Sequence, residues 1–180
     1  MPFNMSPSKS RPPRYRLPKS RPAKSRFVKN SQVEMTQLVL PNDTNQLGNL
    51  LGGRLMEWMD IAAAICAQRH SNRVCVTAGV DDLVFHQPIK IGEVVTLRAS
   101  VNRAFGSSME VGVRVTSENQ LTGEWKTANT AYLTFVAVDE NSIPVKIFPI
   151  LPQTLVEKRR YREALDRRNH RLKHRAIARD

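Results

Sequence analysis

An aspartate within a mostly apolar stretch is the residue of this 180-residue sequence best suited to do chemistry. Asp60 has Met56, Met59, Ala63 and Ala64 around it in a segment of helical character. Burying a carboxylate among apolar groups is costly unless the carboxylate is paired or its pKa changes. From the residues alone, two interpretations stay open. Asp60 is hydrogen-bonded at a wet edge of the helix, or it is a catalytic carboxylate of the kind found at functional sites.

A loop rich in turn-forming residues precedes this stretch and supplies further polar groups. Asn45 lies in the loop, where a turn or helix-cap role is the plainer interpretation. Gly52 and Gly53 then lead into the helix, where unpaired backbone N–H groups suit a developing oxyanion or a phosphate. A simple entry turn is the alternative interpretation of the two glycines.

Residues 54–69 are expected to form the helix that carries Asp60. The segment lacks Gly and Pro and is rich in Ala, Leu, Met and Ile, which favour helix. After Met59 it is apolar almost all round, which predicts a buried helix. Composition and alternation of apolar with polar residues predict strands at 32–40, 75–85, 93–102, 109–116 and 125–138, and Asp81 and Asp82 interrupt the second of these. A short link at residues 105–107 predicts a hairpin.

These elements predict an α+β architecture. A helix that is buried all round needs a sheet that curls around it, so we expect a hotdog fold, an antiparallel β-sheet wrapped around a long central helix. One small sheet cannot cover all sides of the helix, so dimerisation is expected. A second, basic helix is predicted from residue 152 onward, with Glu163 and Arg167 as a favourable pair. Its narrow apolar stripe consists of Tyr161, Leu165, Leu172 and Ala176.

The formal net charge of +12 first suggests a nucleic-acid-binding protein, but the charge is unevenly distributed. Residues 1–30 carry nine basic residues and no acid, residues 151–180 carry a net +6, and residues 31–150 carry −3. We therefore predict a disordered basic tail rich in Pro, Ser and Arg (1–26), a folded domain (27–150) and a basic C-terminal helix (151–180). The alternative is a non-catalytic protein that binds nucleic acid or another polyanion through its tails.

The two cysteines, Cys66 and Cys75, lie in apolar stretches without the spacing of a metal site. Buried free thiols fit a reducing compartment, so a cytoplasmic location is expected. The longest apolar run is too short to span a bilayer, so no transmembrane segment is expected.

Several motifs in a defined order add to this prediction. They are PNDTNQLGNLLGG at 41–53, LMEWMD at 55–60, FHQPI at 85–89 with Gly92, Arg103 with SSMEV at 107–111, and YLTFVAVD at 132–139. Over about residues 30–145 the sequence closely resembles the acyl-CoA thioesterases of the hotdog-fold superfamily. The branch is the acyl-CoA hydrolase family of brain-type cytosolic and short bacterial single-domain forms. Leu51 stands where many relatives have His or Phe, a difference that concerns substrate preference.

The resemblance implies an enzyme that hydrolyses fatty acyl-CoA thioesters to free acid and CoA. Asp60 matches the family's catalytic carboxylate, which would act as general base on a water molecule or as nucleophile. Asn45 matches a catalytic asparagine that would come from the facing protomer. The backbone N–H groups of Gly53 and Gly52 would bind the oxyanion.

The resemblance also implies the partners of the protein. Arg103, Ser107 and Ser108 match the family's segment on the CoA side, where basic groups would help to bind phosphates. Neither a metal nor a cofactor is implied, because CoA is part of the substrate. The expected partners are acyl-CoA and further copies of the chain, as a dimer or a trimer of dimers, and no nucleic acid is expected.

Overall fold

The computed structural model of the protein describes residues 25–177 except Asp82 and His86, with side chains as far as Lys173. Almost all of the predicted basic tail (1–26) lies outside the described residues, as does the side chain of Ala176 in the predicted apolar stripe. Within the described part of the chain, no helix has the length and apolar character needed to cross a membrane.

The predicted central helix and strands are confirmed, with one difference. The elements are β1 (Arg26–Phe27), β2 (Val33–Leu38), α1 (Gly52–Ser71), β3 (Val74–Val80), β4 (Val94–Phe105), β5 (Ser108–Asn119), β6 (Glu124–Val138), β7 (Ile150–Leu151) and α2 (Leu155–Ile177). Short 3-10 turns occupy Val28–Asn30 and Pro41–Asp43. The strand predicted at 75–85 ends at Val80, just before Asp81, whose side chain forms an ion pair with Arg171 of α2.

Five strands form one antiparallel sheet in the order β2-β4-β5-β6-β3. The predicted hairpin between β4 and β5 is present, and Gly106 supplies the positive φ of +73° that its two-residue turn needs. A separate parallel pair joins β1 to β7, so the segment that precedes β2 lies beside the segment that follows β6. Strand β3 is therefore one edge of the sheet, and β6 is its only partner strand among the residues that the structure describes.

Helix α1 contacts each of the five strands, which confirms the hotdog fold. Its inward side carries small residues, and Ala62, Ala63 and Ala67 are fully buried against the sheet. Side chains of this size let the helix axis approach the strands closely. The opposing apolar faces of β4, β5 and β6 include Leu97, Val111, Val113 and Phe135, all fully buried.

Within a single protomer, α1 is buried only on the side that faces the sheet, which confirms the expectation that one small sheet cannot cover all sides of the helix. Met56, Ile61 and Ile65 are each about 40% exposed on the side of the helix that the sheet does not reach. The edge strand β3 also presents apolar side chains outward, with Val74 57% exposed. The reason is geometric, since one sheet of five strands covers only one side of a helix.

Helix α2 packs near β4, and only part of the predicted apolar stripe takes part. Ala164 is fully buried and Tyr161 is half-buried, but Leu172 is 48% exposed. The predicted pair of Glu163 and Arg167 is present as a long contact of 4.0 Å. Arginines of the helix instead meet acidic side chains on the sheet, so charge as well as apolar burial determines which side of α2 faces inward.

Candidate active site

Asp60 lies at the mouth of an apolar cleft beside α1. Its carboxylate is half-buried, and Oδ1 accepts a hydrogen bond of 2.6 Å from the Thr77 hydroxyl of β3. The cleft has a volume of about 360 Å³. It is lined by Gly53, Met56, Glu57, Met59, Asp60, Thr77, Val80, Leu83 and Leu133. Asp60 is thus hydrogen-bonded at the edge of the helix, and it also faces a cleft that an apolar group could enter.

A β-bulge brings Thr77 to this position. The pairing of β3 with β6 shifts register between Thr77 and Gly79, which leaves one extra residue on β3. Thr77 and Val80 are three residues apart and would lie on opposite faces of a regular strand. The extra residue allows both to line the Asp60 cleft. Sequence reasoning missed Thr77 because the bulge leaves no clear signal in the alternation of residues.

The first turn of α1 brings the backbone of Gly53 to the same cleft. The first N–H groups of an α-helix have no partner within the helix. Leu51, the N-cap residue of α1, makes no side-chain bond to them either. Gly53 lines the Asp60 cleft, and nothing lies within 4 Å of the position that a Cβ would occupy there. A Cβ on Gly52 would instead lie 3.2 Å from the ring of Phe85. The bare backbone at Gly53 is therefore open to a ligand.

Asn45 lies in a second cleft, of about 340 Å³, on the other side of the start of α1. Residues lining it include Gly52, Phe85 and Pro88. The Oδ1 atom of Asn45 accepts the backbone N–H groups of Leu47 at 2.9 Å and Asn49 at 3.2 Å. Because Oδ1 is taken up inside the loop, the NH₂ group is the part of the side chain left to donate to a ligand.

An ion pair fixes the Asn45 loop to α1. Asp43 is nearly buried, and its Oδ1 lies 3.0 Å from Nε of Arg54 in the first turn of the helix. Its Oδ2 accepts the N–H of Leu40 at 3.1 Å. One carboxylate thus joins both ends of the loop, which holds Asn45 at a defined place relative to the start of α1.

A single protomer brings together only part of the predicted site. Asp60 shares one cleft with Gly53, whereas Asn45 shares the other with Gly52.

The predicted CoA contacts line neither cleft and lie at the β4–β5 hairpin. Arg103 donates to the carbonyl of Tyr161 at 3.2 Å, with its guanidinium 4.1 Å from the centre of the Tyr161 ring. Ser107 occupies the turn, and the hydroxyl of Ser108 donates to the carbonyl of Phe105 at 3.4 Å.

Comparison with known proteins matches residues 47–124 to the thioesterase superfamily. The chain is 42% identical over 141 residues to an uncharacterized acyl-CoA thioester hydrolase of Bacillus subtilis, YkhA, and the match covers 78% of this chain and 82% of YkhA. It is 44% identical over 142 residues to acyl-coenzyme A thioesterase 11 of Mus musculus, over 79% of this chain and 24% of that protein. The chain therefore spans about a quarter of the length of such mouse and rat relatives.

Solved structures agree with these matches. The acyl-CoA hydrolase of Bacillus cereus superposes with a TM-score of 0.83 at 35% identity, over 87% of this chain and 95% of that one. A hexameric acyl-CoA thioesterase superposes with a TM-score of 0.81 at 40% identity, over 84% of this chain and 99% of the other.

The acyl-CoA hydrolase of Staphylococcus aureus, solved with butyryl-CoA and CoA, superposes with a TM-score of 0.80 at 34% identity, over 86% and 94% of the two chains. Its structures include alanine variants of an asparagine, of an aspartate 15 residues later and of a threonine 17 residues after that. Asn45, Asp60 and Thr77 have the same residue types at the same two intervals. By sequence and by fold, the chain belongs to the hotdog-fold acyl-CoA hydrolase family of the thioesterase superfamily.

Proposed function

We propose that the protein hydrolyses acyl-CoA thioesters to a carboxylic acid and free CoA. The observation that carries this proposal is the Asp60 carboxylate, held by Thr77 at the mouth of an apolar cleft that Gly53 of the first turn of α1 also lines. A thioester is already an activated acyl group, so one positioned base and one oxyanion site suffice for its hydrolysis.

In the proposed reaction, Asp60 removes a proton from a water molecule whose oxygen attacks the thioester carbonyl carbon. The carbonyl oxygen becomes an oxyanion, which the N–H of Gly53 stabilises, with Gly52 nearby at the start of the same helix. The carbon–sulfur bond then breaks, and the CoA thiolate leaves and takes up the proton held by Asp60. Direct attack by the carboxylate, with water hydrolysing the resulting anhydride, is the other route open to the same group.

The apolar lining of the cleft suits the acyl chain of the substrate. Met56, Met59, Val80, Leu83 and Leu133 provide most of this lining, and their contact with a fatty acyl chain would remove apolar surface from water. Arg103, Ser107 and Ser108 stay predicted contacts of the CoA moiety.

The catalytic pairing of Asp60 with Asn45 requires two protomers in this proposal. Within one protomer, the two residues lie in separate clefts. The exposed apolar side chains of α1 and of the edge strand β3 give a second copy a surface to cover. A homodimer in which Asn45 of one protomer donates its NH₂ group into the Asp60 cleft of the other would complete the site.

The first experiment measures release of CoA from acyl-CoA substrates of increasing chain length with a thiol reagent. We expect wild-type turnover, and a loss of about 100-fold to 10,000-fold in kcat for Asp60→Asn, which keeps the shape but removes the base. Asp166→Asn, an exposed change on α2, is the matched control and should leave turnover unchanged. Full turnover by Asp60→Asn would refute the proposed role of the carboxylate.

A complementation experiment tests the pairing across protomers. Asn45→Ala and Asp60→Asn are each expected to be nearly inactive alone. After the two variants are unfolded together and refolded, half of the dimers are mixed, and one of the two sites in each mixed dimer carries both native residues. We therefore expect activity to return to about a quarter of the wild-type value. No recovery in verified mixed dimers would show that Asn45 does not act across the interface.

A further inference from the structure

A fully buried carboxylate connects helix α2 to the outer side of the sheet. Glu110 of β5 points away from α1, and its Oε1 lies 2.6 Å from Nη2 of Arg167. A second bond of 3.2 Å joins Oε2 to Nε of Arg167, and Asn102 donates to Oε1 at 3.0 Å. A buried carboxylate without such partners would be strongly destabilising. Charge pairing thus fixes one side of α2 against the sheet at a defined position.

One helical turn further along α2, a second arginine extends this pairing to the end of β3. Arg171 binds both carboxylate oxygens of Asp81, at 2.6 Å and 2.9 Å, and its Nη1 lies 3.4 Å from Oε2 of Glu110. The backbone N–H of Asp81 also donates to the carbonyl of Tyr132 at 2.9 Å. Asp81 is therefore fixed by β6 through its backbone and by α2 through its side chain. We name Glu110, Arg167, Arg171 and Asp81 the α2 clamp.

The α2 clamp contacts the end of β3 just after its bulge. β3 is an edge strand with a bulge between Thr77 and Gly79, so this segment is paired on one side only and irregularly. Thr77 stands just before the bulge, and Val80 adjoins Asp81 after it. Both Thr77 and Val80 line the Asp60 cleft. An anchor at Asp81 therefore limits how far the bulged segment can move away from α1.

We infer that Arg171, through Asp81, is a positioning residue that keeps the bulged end of β3 in place so that Thr77 holds the Asp60 carboxylate. This inference rests on the proposed function of Asp60. Arg167 and Arg171 of the α2 clamp then serve as counter-ions to acids of the same chain. Displacement of a reacting group by about 1 Å can cost on the order of 100-fold in rate, so a loose β3 should lower kcat.

The kinetic test compares Arg171→Gln with Arg162→Gln, which removes an exposed arginine of the same helix. We expect Arg171→Gln to lower kcat by about 10-fold to 100-fold, with little change in KM. Asp81→Asn should act in the same direction, and Arg171→Lys, which retains the charge, should recover part of the loss. Equal kcat for Arg171→Gln and Arg162→Gln, with both proteins folded, would overturn the inference.

A double-mutant cycle with Thr77→Val separates positioning from a general structural effect. If the clamp acts through Thr77, Arg171→Gln should cost at least several-fold less in kcat in the Thr77→Val background than in the wild type. Independent, multiplicative losses would show that Arg171 does not act through Thr77.

Hydrogen exchange tests the clamp without an enzyme assay. Peptides covering residues 74–89 should exchange faster in Arg171→Gln than in Arg162→Gln, whereas peptides from β4 and β5 should exchange alike. Unchanged exchange at 74–89 would refute the clamp. If the wild type released no CoA, the proposed function would be refuted. If Arg171→Gln still exchanged faster than Arg162→Gln, the clamp would remain as a structural anchor.

Discussion

Replacing His70 by glutamine should remove an acid-sensitive part of the protein's stability. His70 is fully buried near the end of α1, and its Nε2 lies 2.8 Å from the carbonyl oxygen of Phe148. Its Nδ1 is buried with no hydrogen-bond partner among the described residues. Burial lowers the pKa of His70; the Phe148 hydrogen bond raises it by less, and the nearby Arg26 guanidinium adds a smaller lowering. The folded protein therefore holds His70 neutral, with Nε2–H as the donor.

The sign of the effect follows from proton binding in the two states. In the unfolded chain His70 takes up a proton below its ordinary pKa of about 6.5, whereas the folded protein resists protonation there. The unfolded state then binds more protons, so the free energy of unfolding falls as pH decreases below about 6.5. One pH unit below that value, the contribution of His70 reaches at most about 1.4 kcal/mol. Above pH 7.5 the contribution is close to zero.

Urea unfolding of the wild type and of His70→Gln at pH 7.5, 6.5 and 5.5 measures this contribution. Glutamine retains a donor for the Phe148 carbonyl but does not titrate. The wild type should lose up to about 1.4 kcal/mol more than His70→Gln between the two extremes of pH. His170→Gln, which changes an exposed histidine of α2, is measured in parallel as the matched substitution. Protein concentration must be equal throughout, because an oligomer gains stability by mass action.

Equal pH dependence in the wild type and in His70→Gln would refute the reasoning, because other titrating groups are common to both proteins. The change in the free energy of unfolding with pH is more informative than its value at one pH, since the substitution also alters packing. A difference of the opposite sign would mean that the folded protein binds a proton at Nδ1.

Two further predictions concern buried groups. Glu110→Gln should lower the free energy of unfolding by about 3 kcal/mol at pH 7.5 in urea titrations, because it removes the counter-charge of Arg167 and Arg171. The exposed change Glu124→Gln should stay within about 0.5 kcal/mol of the wild type, and a similarly small effect of Glu110→Gln would contradict the prediction. Burial raises the pKa of the Cys66 thiol to about 12, so Cys66 should not react with the thiol reagent at pH 8 in the native protein. Rapid labelling of Cys66 in folded protein, followed by mass spectrometry, would be the contrary result.

The periodicity of the sequence was sufficient to predict the main elements of the fold. Residues 93–102 and 109–116 alternate cleanly, and both lie within long paired strands. The prediction for 75–85 holds only as far as Val80, and the strand ends where Asp81 and Asp82 interrupt the predicted run. Of the apolar stripe predicted for α2, Tyr161 packs against the core and Leu172 is exposed, and arginines that pair with acids also set the inward side of the helix. Local patterning takes no account of acids such as Glu110 that lie far away in the chain.

The sequence by itself determined the fold class, the family and the motif that contains Asn45, Gly52, Gly53 and Asp60. The fold class follows from local composition and periodicity, whereas the family follows from the resemblance that the ordered motifs carry. Only the tertiary structure showed that Thr77 holds Asp60, since a bulge in an edge strand directs that side chain. The structure also separated Asn45 from Asp60 into two clefts of the protomer. Such relations depend on contacts between distant segments, and the order of residues along the chain does not specify them directly.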